Sequence, residues 1–409
     1  MLLYIKLAWR NIFRNKRRTI ISGLAIAIGL ASLIYVDALY IGMKNNIVDN
    51  ITKSFMSDGQ IHRKGFRQRQ EVELTINNID DVIKNLKKEE IVNRFSVRAY
   101  GFSMISSSNN VGSVILVGID PDKERYISQM DDAIIKGDYL KGEKGNQIII
   151  GKKLAEILEV ELGDRIVVTV AQANSSELSQ ELFRVSGIYF LNNPQFDKGM
   201  AFIKLGKARK MLNIGTGGHE IAIKLKKGID RIHIEKLSIW KKYSSKGNEA
   251  ISWIGIMPQM KMMFEMTNLS LSLIGFILFA IVALVIINSL FMSIYERMFE
   301  LGVLRAIGTR PSGAFKMIIF ESGALAVFSI ILGIVLGYLI TLVFTKIGID
   351  YTGIEMMGIT IKNIIYPVIE LRQFIIYPII VFFITILVGI YPGIYAAKLQ
   401  PAEALRKSL

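Results

Sequence analysis

Few residues in this 409-residue chain are of types that make or break bonds. Cysteine is absent, and His62, His219 and His233 have no second histidine at a ligand spacing. Zinc centres, histidine-based triads and disulfides therefore have little to build on, and each histidine reads as a surface residue. The phosphate-cradling pattern G-x-x-x-x-G-K-[ST] is missing as well. Gly151-Lys152-Lys153 and Gly206-Lys207-Ala208 lack both the preceding glycine and the hydroxyl. The chain is thus not expected to be an enzyme, and no catalytic residue, metal ligand or cofactor site is assigned to it.

Asp37, Asn288 and Glu321 are the polar exceptions inside long apolar stretches, where an ionisable side chain is costly. Asp37 lies near one end of its stretch and Glu321 near the end of another, so both carboxylates are expected to reach water. Neither offers a midplane site for a proton-coupled carrier. Gly333 with Gly337, and Gly23 with Ala27, set small residues four apart and allow close helix contact.

The most informative run is Tyr295–Pro311. Glu296, Arg297, Glu300 and Arg305 decorate a short helix whose Phe299, Val303, Leu304 and Ile307 form an apolar face, with Gly308 as its stop before Pro311. A solvent-facing helix of this kind suits docking into a groove on a soluble partner.

The elements that must carry this helix are hydrophobic. The chain is 51% hydrophobic, and the excess gathers in residues 19–43, 269–294, 317–344 and 374–397. Each reaches the roughly 20 apolar residues that cross a hydrocarbon core of about 30 Å, and only helices satisfy their backbone there at that length. The first block lacks a cleavage site and reads as a retained anchor, not a signal peptide. Net charge is +15. Lys6, Arg10, Arg14, Lys16, Arg17 and Arg18 precede the first span without an acid, and bases outnumber acids in residues 295–316 and 398–409. By the positive-inside rule these segments and both termini are cytoplasmic, with residues 44–268 and the short loop 345–373 outside. The bases of the outer segment are dispersed, which excludes a nucleic-acid face.

Residues 1–18 alternate Leu2, Ile5, Trp9, Ile12 and Phe13 with bases, as an amphipathic helix on the membrane surface does. The outer segment reads as an α+β domain of one lobe or two. It is expected to hold a hairpin of Phe95–Ile105 and Val111–Ile119, strands at Gln147–Gly151, Gly163–Val170, Phe183–Phe190 and Met200–Leu205, and helices at Asp80–Glu90, Lys152–Val160 and Asp230–Tyr243. Met257, Met260, Met263 and Met266 lead into the second span, as an adaptable greasy surface for a lipidic substrate.

The run ERMFELGVLRAIG resembles the signature of the FtsX/MacB-type ABC transporter permeases. The tail from Tyr391-Pro392-Gly393 to Gln400-Pro401-Ala402-Glu403-Ala404-Leu405-Arg406 is similar to that family's ending. IIIGKKLAEILEVELGDRIVV with FRVSGIYF resembles its periplasmic domain, and KLAWRNIFRNKRRT its amphipathic start. The resemblance implies a separate ATPase subunit that binds ATP and Mg, docked at Glu296, Phe299, Glu300, Gly302, Leu304, Arg305 and Gly308. It also implies a permease dimer, homo- or heteromeric, that passes mechanical work across a bacterial inner membrane. The size of the outer domain resembles the lipoprotein-releasing LolC/LolE branch, with a LolD-like ATPase, a lipoprotein substrate and a periplasmic chaperone. One departure concerns the chaperone-grasping hairpin, which would fall between Val170 and Phe183, where this chain has the short polar AQANSSELSQEL. MacB-like export of peptides or small molecules and FtsX-like activation of a cell-wall hydrolase are the alternatives.

Overall fold

A computed structural model describes residues 10, 14, 16–53, 55–141, 145–175, 177–351, 355–356, 359–360 and 364–400. The amphipathic helix read over residues 1–18 falls largely outside them, as does the tail beyond Gln400. The chain divides into two compact units. One joins Asn45–Met262 with Thr352–Lys362; the other joins Met1–Lys44, Met263–Tyr351 and Asn363–Leu409.

Among the described residues, four helices are long and apolar enough to cross a membrane: α1 (Lys16–Lys53), α5 (Pro258–Glu296), α7 (Pro311–Ile347) and α8 (Gln373–Lys398). The first three run past the apolar blocks read from sequence, because the flanking residues continue the helical pattern beyond the greasy core. In the helix unit, Ile26, Leu30 and Ile34 of α1 pack with Val282, Ile286 and Leu290 of α5, Leu325 of α7 and Val381 of α8. The small-residue stripes do what their spacing predicts. A Cβ added at Gly333 would come within 2.9 Å of Leu30 and 3.0 Å of the Ala27 carbonyl, so α1 and α7 approach at near-backbone distance.

Within Asn45–Met262 of the other unit run β1 (Gly59–Arg63), β2 (Val92–Ser106), β3 (Val111–Ile119), β4 (Ile134–Gly137), β5 (Gln147–Gly151), β6 (Arg165–Ala171), β7 (Leu178–Tyr189), β8 (Met200–Lys204), β9 (Glu220–Leu225) and β10 (Asn248–Ser252). Pairings run β2–β3–β8–β5–β7–β6 and return to β2, which closes a ring. Closure leaves those six strands without a free edge inside the ring. Ile105, Leu116, Ile148, Ile150, Val168, Phe183 and Ile203 are buried in its core with Leu154 and Leu158 of α2 (Lys152–Leu158) and Leu212 of α4 (Leu205–Leu212). The short α3 (Pro194–Gly199) lies between β7 and β8 in sequence, capped by the Asn193 side chain on the backbone N–H groups of Gln195 and Phe196. The first half of β2 leaves the ring and pairs with β9, which continues through β1 to β10. One long strand therefore serves both lobes.

The β2–β3 hairpin is present as expected. Strands β1, β9 and β10 were not legible, because their polar residues are buried: Gln60, His62, Glu220 and Asn248 all lie within the sheet. His62 and His219 are 1% and 0% exposed, which overturns their reading as surface residues; His233 is exposed as expected. Burial pushes the His219 imidazole down and outweighs the Val72 carbonyl, 2.8 Å from Nε2, which favours the charged ring; its Nδ1 accepts from the Tyr100 N–H. The helix expected over Asp230–Tyr243 is instead a 3-10 turn, Ile234–Lys236, followed by the short helix Ser238–Tyr243. The Asp230 carboxylate accepts from the backbone N–H groups of Ile232 and His233, a local turn that competes with helical hydrogen bonds.

Candidate coupling site

Helix α5 ends at Glu296, and Arg297 breaks it with φ −113° and ψ 16° before the nine-residue α6 (Met298–Ala306) begins. The break turns one continuous apolar pattern into two helices with different faces. Met298 and Leu301 point inward and join Ile294, Met317, Ile318, Ala396 and Leu399 in a small core. Phe299, Val303, Leu304 and Ile307 remain exposed, Ile307 by 76% and Phe299 by 52%. Helix α6 closes at Gly308, whose φ of +101° is open to glycine at little cost. The Thr309 N–H then donates to the Leu304 carbonyl, and Pro311 starts α7.

Charges tie this ridge to two other helices. Arg14 donates to Glu300 at 2.7 Å, and Arg18 donates to Glu296 at 2.7 Å. Arg297, only 8% exposed, spans Glu300 at 3.3 Å and Glu321 of α7 at 3.1 Å. Glu321 is 3% exposed and also accepts from the Ser293 hydroxyl, with Arg18 at 3.9 Å. Burial alone would raise the Glu300 carboxyl, but hydrogen bonds from Arg14 and Arg297 outweigh it and hold the group below its ordinary value. The carboxylate expected to reach water at Glu321 is thus a buried anchor. A helix end is not necessarily wet when an arginine from the adjoining turn folds back over it.

Besides Gly308 at the helix end, the residues nominated from sequence separate into four sets. Phe299 and Leu304 stand on the exposed ridge with Val303 and Ile307. Glu296 and Glu300 are held by arginines of the N-terminal segment. Gly302 is buried with Met298 and Leu301. Arg305 donates to the Thr309 carbonyl at 3.2 Å, while its buried Nε has no hydrogen-bond partner among the described residues. Sequence reasoning missed Ser293, the burial of Arg297 and the roles of Arg14 and Arg18. The available signal was the basic run Arg14–Arg18 together with the two carboxylates Glu296 and Glu300, but nothing local in sequence pairs them.

The methionines nominated for lipid do not share a face. Met260 and Met263 are buried, Met257 is half-buried and Met266 is 70% exposed. An apolar groove of about 510 Å³ instead lies further along, between α1 and α5, with Leu33, Val36, Ile274, Phe276 and Phe279 in its wall. Asp37 and Tyr377 give it a polar flank, and Gln373 donates to Asp37 at 3.1 Å.

A bundle of membrane-capable helices, a large α+β domain inserted after the first, and a short amphipathic helix after the second define a membrane permease. Residues 19–236 match the family described as the MacB-like periplasmic core domain, and residues 272–401 match the one described as the FtsX-like permease C-terminal. The chain belongs to the FtsX/MacB/LolC family of ABC transporter permeases, multi-pass membrane proteins that work with an ATPase partner. It is 21% identical over 301 residues to the lipoprotein-releasing system transmembrane protein LolC of Xylella fastidiosa (strain Temecula1), covering 71% of this chain and 72% of that one. It is 21% identical over 406 residues to LolE of Haemophilus influenzae, covering 94% and 93%. Among solved structures it is similar to the periplasmic region of MacB from Actinobacillus actinomycetemcomitans, with a TM-score of 0.36 and 14% identity over 53% of this chain and 97% of that one.

Proposed function

We propose that this permease carries a separate ATPase on the α6 ridge and uses its ATP hydrolysis to move the MacB-like domain, extracting lipoproteins from the membrane for transfer to a chaperone. The observation that carries the coupling half is the exposed ridge of Phe299, Val303, Leu304 and Ile307, held by arginines from the N-terminal segment. An apolar ridge on a short helix suits insertion into a groove, and the buried Arg297–Glu321 pair transmits its displacement to α7. ATP and Mg are bound by the partner, and α6 and both termini face the cytoplasm. A second permease, a further copy or a relative, completes the transporter.

The lipoprotein half is supported by the α1–α5 groove, whose apolar wall and polar flank suit acyl chains attached to a polar head. The β6–β7 hairpin turns tightly, with the Gln172 N–H donating to the Glu177 carbonyl at 3.1 Å. Chaperone capture therefore falls to the second permease or to another surface.

The docking test is Ile307→Asp with Phe299→Asp. Both side chains are exposed, so the bundle should keep its melting temperature while ATPase binding weakens tenfold or more; normal binding would remove the coupling assignment. Gly302→Trp tests internal packing instead, because the residue is buried. For the substrate, native mass spectrometry of the assembled transporter should find a triacylated lipoprotein, displaced when Ile274→Trp fills the groove. If no lipoprotein copurifies and chaperone transfer is silent, lipoprotein release is wrong although the coupling reading stands.

A further inference from the structure

The groove between α1 and α5 changes character along its length. The two helices run antiparallel there: a Cβ added at Gly29 would lie 3.0 Å from Val282, and one added at Gly275 would lie 3.7 Å from Leu33. Asp37, one turn beyond Leu33, therefore stands level with the turns of α5 that precede Gly275, where Asn268 and Ser272 join the lining. Tyr377 of α8 completes this polar end, and Leu278 and Phe279 line the opposite, apolar one. A polar head attached to acyl chains fits such a gradient in one direction only.

Among the described residues lining the groove, Asp37 is the charged one, and it is half-buried. It is held from α8. The amide oxygen of Gln373 accepts from the Glu370 N–H at 3.1 Å, which leaves the amide nitrogen to donate to Asp37 at 3.1 Å and to the Val368 carbonyl at 3.3 Å. The Tyr377 hydroxyl hydrogen-bonds to the same carboxylate. Both partners are neutral side chains, and among the described residues Asp37 makes no ion pair. Arg372, just before α8, is exposed and outside the lining. The carboxylate is thus positioned without being neutralised. Beside an apolar wall such a group attracts N–H donors and repels a second anion more strongly than it would in water.

We propose that Asp37 determines which head the groove accepts: an acylated peptide head, whose N-acyl amide N–H donates to the carboxylate, in preference to a phospholipid head, whose phosphate the carboxylate repels. This rests on the lipid-binding reading of the groove and adds the means by which it discriminates its substrate from membrane phospholipid. Specificity of this kind comes from the rejected competitor as much as from the accepted ligand.

The probes are an uncharged triacylated lipopeptide, N-palmitoyl-S-dipalmitoylglyceryl-Cys-Ser-Ser amide, the same compound methylated on the cysteine nitrogen, and dipalmitoyl-phosphatidylglycerol. Each is titrated by native mass spectrometry against the full chain in a maltoside detergent. The methylated compound should bind about tenfold more weakly than its parent, because it has lost the donor. Asp37→Asn keeps an acceptor for Gln373 and removes the charge. It should tighten phosphatidylglycerol binding about tenfold without tightening that of the lipopeptide, at an unchanged melting temperature. Ile274→Trp should abolish binding of both. If it does, but phosphatidylglycerol affinity is the same in Asp37→Asn, the proposal is overturned and the groove reading stands. Equal affinity for the methylated and parent lipopeptides would overturn it too, a comparison that needs no variant and decides the matter if Asp37→Asn fails to fold. Full binding of both ligands by Ile274→Trp would remove the groove reading and the proposal with it.

Discussion

Arg98 and Arg297 are both guanidiniums buried against carboxylates, and their surroundings differ: one is enclosed on all sides, the other lies at the end of a chain of pairs that reaches the surface. Arg98 is wholly enclosed. It donates to the Phe55 carbonyl and to Glu220, pairs with Glu124, and lies 3.6 Å from the centroid of the Phe55 ring. Burial would lower its pKa, but the two carboxylates outweigh that and push it up, so it stays charged. Arg297 sits at the inner end of a graded chain. Exposure rises outward from Glu321 at 4% of its side chain, through Arg18 and Glu296 at 16% and 31%, to Arg14 and Glu300 at 52% and 48%. The inner pair fixes α6 to α7, and the outer, half-exposed pairs can open at low cost. An enclosed cluster resists rearrangement, whereas a graded one supports stepwise change.

The sharpest way to break this contrast is Arg98→Met. It strands Glu124 and Glu220 in the interior and should cost about 3–5 kcal/mol, seen as a large drop in melting temperature or loss of folded protein. Glu321→Ala should cost roughly 3 kcal/mol, the low end of that range, because Arg297 keeps Glu300. Stimulation of the partner's ATPase should fall with it, and a variant with full stimulation would detach the buried pair from coupling. A smaller effect is expected from pH. The His219 pKa is depressed on folding, so the unfolded chain takes up a proton first as pH falls through about 6.5. Stability should therefore decline from pH 7 toward 5, and His219→Gln should flatten that decline in a thermal-melt series. Arg14→Ala should be the mildest. Its pair with Glu300 is half exposed and contributes no more than about 1 kcal/mol, so melting should hardly change.

The helices were legible because lipid imposes a length and a polarity on every span, and the hairpin because β2 and β3 flank a polar turn. The exposed apolar ridge of α6 was legible as an amphipathic pattern in residues 298–307. What escaped were polar residues placed inside: Gln60, His62 and Glu220 disguised strands as loops, and Glu321 passed for a solvated carboxylate. Their signal depends on partners distant in sequence, such as Arg98 for Glu220 and Arg297 for Glu321. The methionine surface was misplaced for a related reason, since helical phase alone did not say which side α5 buries.

The sequence by itself determined the four spans, an α+β insertion after the first, the short helix after the second and the family, because hydrophobicity and local motifs act over a few turns of chain. The closing of the β2–β3–β8–β5–β7–β6 ring, the burial of His62 and His219, and the ties from Arg14 and Arg18 to Glu300 and Glu296 arise only in the folded chain. A buried charge or acceptor is stable only beside its complement, and which complement arrives is settled by folding.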